Sequence, residues 1–318
     1  MPKVLVWGAI NWDTTLFVDR FARPGEEVRV VKVISVPGGK AANTAVAAVK
    51  ILGTNEVGII GMLGVDGIAK SQIEILRKEG VDTSLIFHHE GMLSGQAYVI
   101  VDGKGENLIL SHQAANLAIT PEVVSKPNVL SAIEDSDTII VIDPPLETAG
   151  SLITYARRLG KRIIWSPAIL TTHGLSAVQK YVINLDYLIL NQQEAKSLTS
   201  MDDGVHACRT ISGSISSRTA VVVTLGNEGC VLCTKGNSMI IPPLDLASSS
   251  YLKIVSTAGA GDTFVGAFGA FKLKGFEDTK ALYLANIAAA IKTSREDTRG
   301  SPTFEEIKRY ANDQNRAS

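Results

Sequence analysis

The chain of 318 residues lacks several features that mark broad functional classes. It has no excess of either charge: 31 Lys and Arg stand against 32 Asp and Glu, a net charge of −1. Wide binding of nucleic acid or of anionic membrane usually leaves a basic excess. The composition therefore points away from nucleic acid and membrane and toward a small, locally bound partner. Cysteine is scarce: Cys208, Cys230 and Cys233 make an odd count with no disulfide framework. Cys230 and Cys233 have C-x-x-C spacing, but no second pair completes a zinc site, and residues 229–233 read as an apolar strand. No apolar run reaches the roughly 18 residues a membrane-spanning helix needs. The N-terminal stretch MPKVLVWGAINWD lacks the apolar core and cleavage site of a signal peptide. Both absences point to a cytoplasmic protein. Two nucleotide motifs are missing as well. No G-x-x-x-x-G-K-[ST] occurs, and Gly8-Ala9-Ile10-Asn11-Trp12 lacks the second and third glycines of G-x-G-x-x-G. A dinucleotide-dependent dehydrogenase is disfavoured on that ground.

What is present is the composition of a globular protein, with 45% hydrophobic and 20% charged residues. The length suits two domains, or one large α/β domain with a smaller appendage. Strand patterns at Val4–Gly8, Val57–Leu63, 137–142, 162–165, 187–190 and 219–225 alternate with helical patterns at 41–52, 68–79, 146–159 and from Gln193. Such alternation predicts βαβ units and a mostly parallel sheet with helices on both faces. Two stretches break the rhythm. Residues 14–36 hold short β-like runs, including 27–33. Residues 95–101 and 107–111 flank Asp102-Gly103-Lys104-Gly105, a hairpin signature. The two insertions predict a small second β-layer. Pro37-Gly38-Gly39-Lys40 reads as a loop, 251–255 as a strand, 263–274 as a helix, and the tail after Glu306 as a fraying end.

The richest stretch runs from Ser256 to Phe264, STAGAGDTF. Glycines at a helix N-terminus let backbone N–H groups converge on an anion, and the helix dipole adds to the attraction. A carboxylate there repels a phosphate, so Asp262 makes better sense as a base that deprotonates a hydroxyl attacking a phosphoryl group. Asp262 as a plain N-cap remains an equal reading on local sequence. Lys40 and Asn43 offer donors near a second glycine-marked helix start. Asn191-Gln192-Gln193-Glu194 ends a strand, where α/β sheets gather ligands. There an amide and a carboxylate would suit a hydrated Mg²⁺, or would simply cap a helix. Thr224 to Gly229 lines a nucleotide or turns a hairpin, and Asp13 closes its strand in a way that suits hydroxyl binding.

Taken together these segments resemble the ribokinase-like sugar kinases, the phosphofructokinase-B family. GGKAANTAVAAVKILG at 38–53 and TAGAGDTFVGAF at 257–268 resemble its two signatures. Asn191 to Glu194 matches its N-x-x-E motif, Thr224 to Gly229 its T-L-G-x-x-G motif, and 103–116 the lid hairpin and return segment. The resemblance runs from residue 3 to about residue 305. It implies a Rossmann-like α/β core, formed by 1–13, 37–87 and 117–318, under a β-sheet lid formed by 14–36 and 88–116. It implies transfer of the ATP γ-phosphate to a hydroxymethyl group of a sugar or sugar-like alcohol. By position, Asp262 matches the base, and Gly259, Ala260 and Gly261 the anion hole. Asn191 and Glu194 match the group that orders Mg²⁺ through water. Thr224, Gly226 and Gly229 match the nucleotide loop, and Asn286 a position near the adenine. Asp13, Gly39, Lys40 and Asn43 match sugar contacts, and Asp143 lies near a substrate-binding acid. Ser256 stands where members that need a monovalent cation carry Asp, which weakens the case for K⁺ activation. Segment 293–301 is longer than usual. The acceptor is a sugar, sugar acid, cyclitol or nucleoside, and 88–116 holds no Arg/Lys cluster for a second phosphate. A homodimer through the lid is implied. A non-catalytic sugar or nucleotide sensor on the same scaffold is the rival, against which the presence of a base argues.

Overall fold

The computed structural model describes residues 1–104, 106–215, 218–244 and 253–317, with side chains apart from those of 107 and 313–317. A nine-stranded sheet forms its centre, in the order β13-β12-β11-β10-β9-β8-β1-β4-β5. Its strands are β1 (Val4–Gly8), β4 (Val57–Leu63), β5 (Asp82–His88), β8 (Thr138–Ile142), β9 (Arg162–Ser166), β10 (Tyr187–Asn191), β11 (Ala220–Thr224), β12 (Cys230–Thr234) and β13 (Asn237–Ile241). From β5 across to β11 every pairing is parallel, and only β12 and β13 are antiparallel. The inner strands β1, β4 and β8 are buried along their whole length, which is why they read as continuous apolar runs. Along β1, Val4 and Val6 enter one core, Leu5 and Trp7 the other.

Helices cover both faces. Against the first core lie α1 (Lys40–Leu52), α2 (Gly67–Lys78), α9 (Ala260–Leu273), α10 (Asp278–Thr293) and α11 (Phe304–Ala317). Against the second lie α3 (Pro121–Val124), α4 (Pro127–Asp135), α5 (Leu146–Arg158), α6 (Leu175–Val182), α7 (Gln192–Thr199) and α8 (Gly204–Ser214). Among the described residues no helix is long and apolar enough to cross a membrane.

The predicted second layer is a four-stranded sheet in the order β3-β2-β6-β7, built from β2 (Asn11–Val18), β3 (Val30–Gly38), β6 (Gly95–Val101) and β7 (Asn107–His112). The chain enters it from β1 after only Ala9 and Ile10. Asn116 holds that junction: its Oδ1 accepts from Ile10 N at 2.9 Å and its Nδ2 donates to Asn11 Oδ1 at 2.8 Å.

Several local expectations need correction. Pro37 and Gly38 are not a loop. They finish β3 opposite Trp12 and Asn11, and α1 starts at Lys40 after Gly39 alone. The 27–33 run is displaced, since pairing with β2 begins at Val30. For the strand expected over 251–255, residues 251 and 252 lie outside the described residues. Residues 253–257 form no strand, because Val255 N and Ser256 N donate to Thr293 O at the end of α10 instead of to a sheet. The helix expected at 263 begins at Ala260, so the glycine stretch is itself the first turn. The tail continues as α11 to Ala317. The cysteines are not all unpaired: α8 packs on β11 and β12, which joins Cys208 to Cys233 in a disulfide and leaves Cys230 a buried thiol.

Candidate active site

The carboxyl ends of β1, β8, β10 and β11 and the N-termini of α1, α7 and α9 bring the candidate residues together. This is where open α/β sheets expose unpaired backbone and helix dipoles to a ligand. Asp262 sits in the first turn of α9. Its Oδ2 accepts from Asn43 Nδ2 at 2.8 Å, and its carbonyl accepts from Thr44 Oγ1 at 3.2 Å. Asp262 does not cap the helix: the N-cap is Gly259, with φ 78°, and makes no side-chain cap bond. Burial raises the Asp262 pKa, opposed by the Asn43 amide, Lys40 and Lys292 and aided by Asp143. Of the three expected anion-hole amides, that of Ala260 is taken by Thr257 O at 3.2 Å. The amides of Gly259, Gly261 and Asp262 have no acceptor among the described residues, and a Cβ on Gly261 would point into open space.

Gly38 and Gly39 shape the opposite wall. A Cβ on Gly38 would collide with the Asp13 carboxylate, and one on Gly39, where φ is 93°, with Asn11 N. Both clashes explain why glycine stands there. Asp13, on β2, accepts from the Gly39 amide. Burial, then the nearby Asp262, push its pKa from 3.8 to about 6, against the pull of Arg299, Lys40 and that amide. Asp143 follows β8 with φ 55° and is buried, and its Oδ2 meets Lys40 Nζ at 3.4 Å. Burial raises the Asp143 pKa against Lys40. For Lys40 itself burial acts downward, but Asp143, Asp262 and Glu194 together leave its pKa raised.

Asn191 and Glu194 form a reciprocal capping box at the start of α7. Asn191 Oδ1 accepts from Glu194 N at 2.8 Å, and Glu194 Oε2 accepts from Asn191 N at 3.0 Å. The capping reading is therefore realised, and it leaves a carboxylate in the site. Burial raises the Glu194 pKa, against the Asn191 amide and Lys40, while Asp143 and Asp262 raise it further. Three acids thus crowd around Lys40. Among the described residues no three His, Cys, Asp or Glu side chains stand close enough to hold a metal directly. This arrangement fits a cation bound through its own water shell.

Thr224 ends β11, and Gly226 (φ 64°) and Gly229 (φ 88°) shape the turn into antiparallel β12, so the 224–229 motif is also a hairpin turn. Asn286, on α10, spends its Nδ2 on the carbonyls of Pro242 at 2.9 Å and Ile241 at 3.3 Å. It anchors the chain leaving β13.

One residue escaped the sequence reading. Arg299 is only 4% exposed. Its Nε donates to Asn43 Oδ1 at 3.2 Å, and its Nη2 donates to Gly38 O and Gln72 Oε1, each at 2.8 Å. Its Nη1 is buried without a partner. Burial lowers its pKa to about 10, against Asp13, Asp297 and Glu79. Arg299 thereby fixes which way the Asn43 amide faces, and Asn43 in turn holds Asp262. A lone arginine in a charged, irregular segment gives no sequence signal of burial.

Comparison with known proteins identifies the family. Residues 1–304 match the pfkB family carbohydrate kinase model. The ribokinase of Haemophilus influenzae is 30% identical over 96% of this chain and 97% of its own. The ATP-dependent ribose-1-phosphate kinase of Halopiger xanaduensis is 28% identical over 96% of this chain and 97% of its own. The crystal structure of Thermotoga maritima ribokinase superposes with a TM-score of 0.83 at 26% identity, covering 98% of this chain and all of that one. The signatures, the two-sheet architecture and these matches agree: the chain belongs to the pfkB family of ribokinase-like carbohydrate kinases, phosphotransferases with an alcohol group as acceptor.

Proposed function

We propose that the protein transfers the γ-phosphoryl group of ATP to a hydroxymethyl group of a sugar or sugar-like alcohol, with Asp262 as the base. The observation that carries this reading is the 2.8 Å bond from Asn43 Nδ2 to Asp262 Oδ2. It orients the carboxylate and leaves its other oxygen to accept the hydroxyl proton. As that proton moves to Asp262, the hydroxyl oxygen forms its bond to the γ-phosphorus. The bond from phosphorus to the β–γ bridging oxygen breaks, and ADP leaves. The free amides of Gly261 and Asp262, the α9 dipole and the Lys40 ammonium offset charge on the transferred group. A raised Asp262 pKa suits a base that must gain and return a proton near neutral pH.

Asp13, Gly39, Lys40, Asn43 and Asp143 would receive the acceptor, and Thr224, Gly226 and Gly229 would border the nucleotide. Asn191 and Glu194 would hold a hydrated Mg²⁺, which would screen the phosphate charges. Segments 14–36 and 88–116 would act as a lid over the core, excluding water from the attacking position. The acceptor class extends from sugars to sugar acids, cyclitols and nucleosides.

The test is ADP release with Mg·ATP against a panel of those acceptors, with Asp262→Asn as control. The substitution is expected to lower kcat at least ~100-fold with ATP binding nearly intact. Unchanged turnover in the variant would overturn the assignment of the base.

A further inference from the structure

Lys292 is fully enclosed, at 0% exposure. It lies in the last turn of α10, and its Nζ donates to Ser256 O at 3.2 Å and to Arg295 O at 3.3 Å. The first carbonyl begins the loop that ends in the free amides of Gly261 and Asp262. The second belongs to the segment leading to Arg299. The two strands of chain are pressed together around the ammonium. Val255 N and Ser256 N both donate to Thr293 O, at 2.7 and 3.0 Å, and a Cβ on Gly259 would collide with Thr298 O. Thr263 Oγ1 and Ser301 Oγ lie 2.8 Å apart. Burial lowers the Lys292 pKa, while Asp297 and Asp262 hold it up and favour the charged form.

Carbonyl oxygens that converge without a donor attract a monovalent cation. Here an ammonium tethered to α10 already stands at the convergence, and a second cation beside it would be repelled. A monovalent cation, which the family resemblance raised, therefore does not fit these residues. We propose that Lys292 is a built-in cation. It is a positioning residue that fixes the 256–261 loop, and hence the amides beside Asp262, so that turnover does not depend on K⁺. This rests on the kinase reading above.

The first test uses the unaltered protein. Turnover with K⁺, Na⁺ or tetramethylammonium as the only monovalent cation is expected to agree within about twofold. Activation by K⁺ of several-fold or more would overturn the proposal. The second test uses Lys292→Ala, which leaves room at the carbonyls. In tetramethylammonium its kcat is expected to fall at least ~10-fold and to recover partly with K⁺, ammonium or methylammonium. A folded variant with full turnover, or one that no cation restores, would overturn it as well. If no acceptor is phosphorylated, the kinase reading fails, and nucleotide binding decides in its place. The wild-type Kd for ATP should then be indifferent to K⁺, and a several-fold K⁺-dependent gain in affinity would refute the role of Lys292.

Discussion

Arg299 shows how one buried side chain can set the chemistry of another through a neighbour. Its guanidinium fork serves Asn43, Gly38 and Gln72 at once, a geometry that a lysine cannot reproduce. Arg299→Lys keeps the charge but leaves two or more of those acceptors unpaired in the interior. The expected loss is about 2–4 kcal/mol of unfolding free energy, read by denaturant titration. With Asn43 free to turn over, kcat is expected to fall more than acceptor KM rises. A variant with wild-type kcat would show that Arg299 only supports the fold. Asp13 makes the complementary case, a carboxyl strained by its surroundings. Its pKa stands near 6 in the fold against 3.8 ordinarily, so folding favours its protonated form. Its contribution to stability is therefore full below pH 3.8 and lost as pH rises through about 6. Asp13→Asn is expected to stabilise the protein at pH 7.5 by on the order of 1 kcal/mol, discounted for the partial exposure of the group, and not at pH 4. The same change should raise acceptor KM about tenfold or more, since the amide accepts fewer hydroxyl protons. Thermal unfolding at the two pH values checks the sign.

At the scale of elements, the site depends on how closely α9 and α1 approach. Gly266 allows it: a Cβ there would strike Thr44 O on α1. Thr44 and Asn43 are the two α1 residues that bond Asp262, so the helix contact and the base geometry are one arrangement. Gly266→Ala removes a helix-weakening residue yet overpacks the contact, and the second effect is expected to win by about 1–3 kcal/mol. Urea denaturation measures that cost, and kcat should fall with it as Asn43 is pushed off Asp262. A stabilised variant would mean that the two helices can part without harm. Most elements were legible in the sequence, because buried parallel strands and capped amphipathic helices leave strong periodic signals. β4, at Val57–Leu63, matches its sequence pattern residue for residue. The segments misread were those whose partners lie far away in the chain. Val255 and Ser256 look like strand residues, but their amides go to Thr293. Pro37 and Gly38 look like a turn, but β2 recruits them into a strand.

For the whole molecule, the small sheet poses the remaining structural question. Val31, Val33, Leu108, Ile109 and Leu110 stay exposed on its two outer strands, β3 and β7. Exposed apolar side chains on a sheet favour a partner, and a second copy of the same sheet would cover them. We propose a homodimer through this sheet. Ile109→Asp is expected to give a monomer in analytical ultracentrifugation at micromolar concentration, and a wild-type monomer under the same conditions would refute the proposal. The amino-acid sequence by itself determined the α/β class, the insertion of a second β-layer, the two glycine-marked helix starts and the acid that follows the second. These follow from local periodicity and from glycine's backbone freedom, which neighbours in sequence report directly. Only the tertiary structure decided that Asn43 holds Asp262, that Arg299 orients Asn43 from 256 residues away, and that Lys292 lies enclosed between two carbonyls. Burial and pairing of charge depend on which distant segments share a space, and a charged residue carries no mark in the sequence of the partner it will meet.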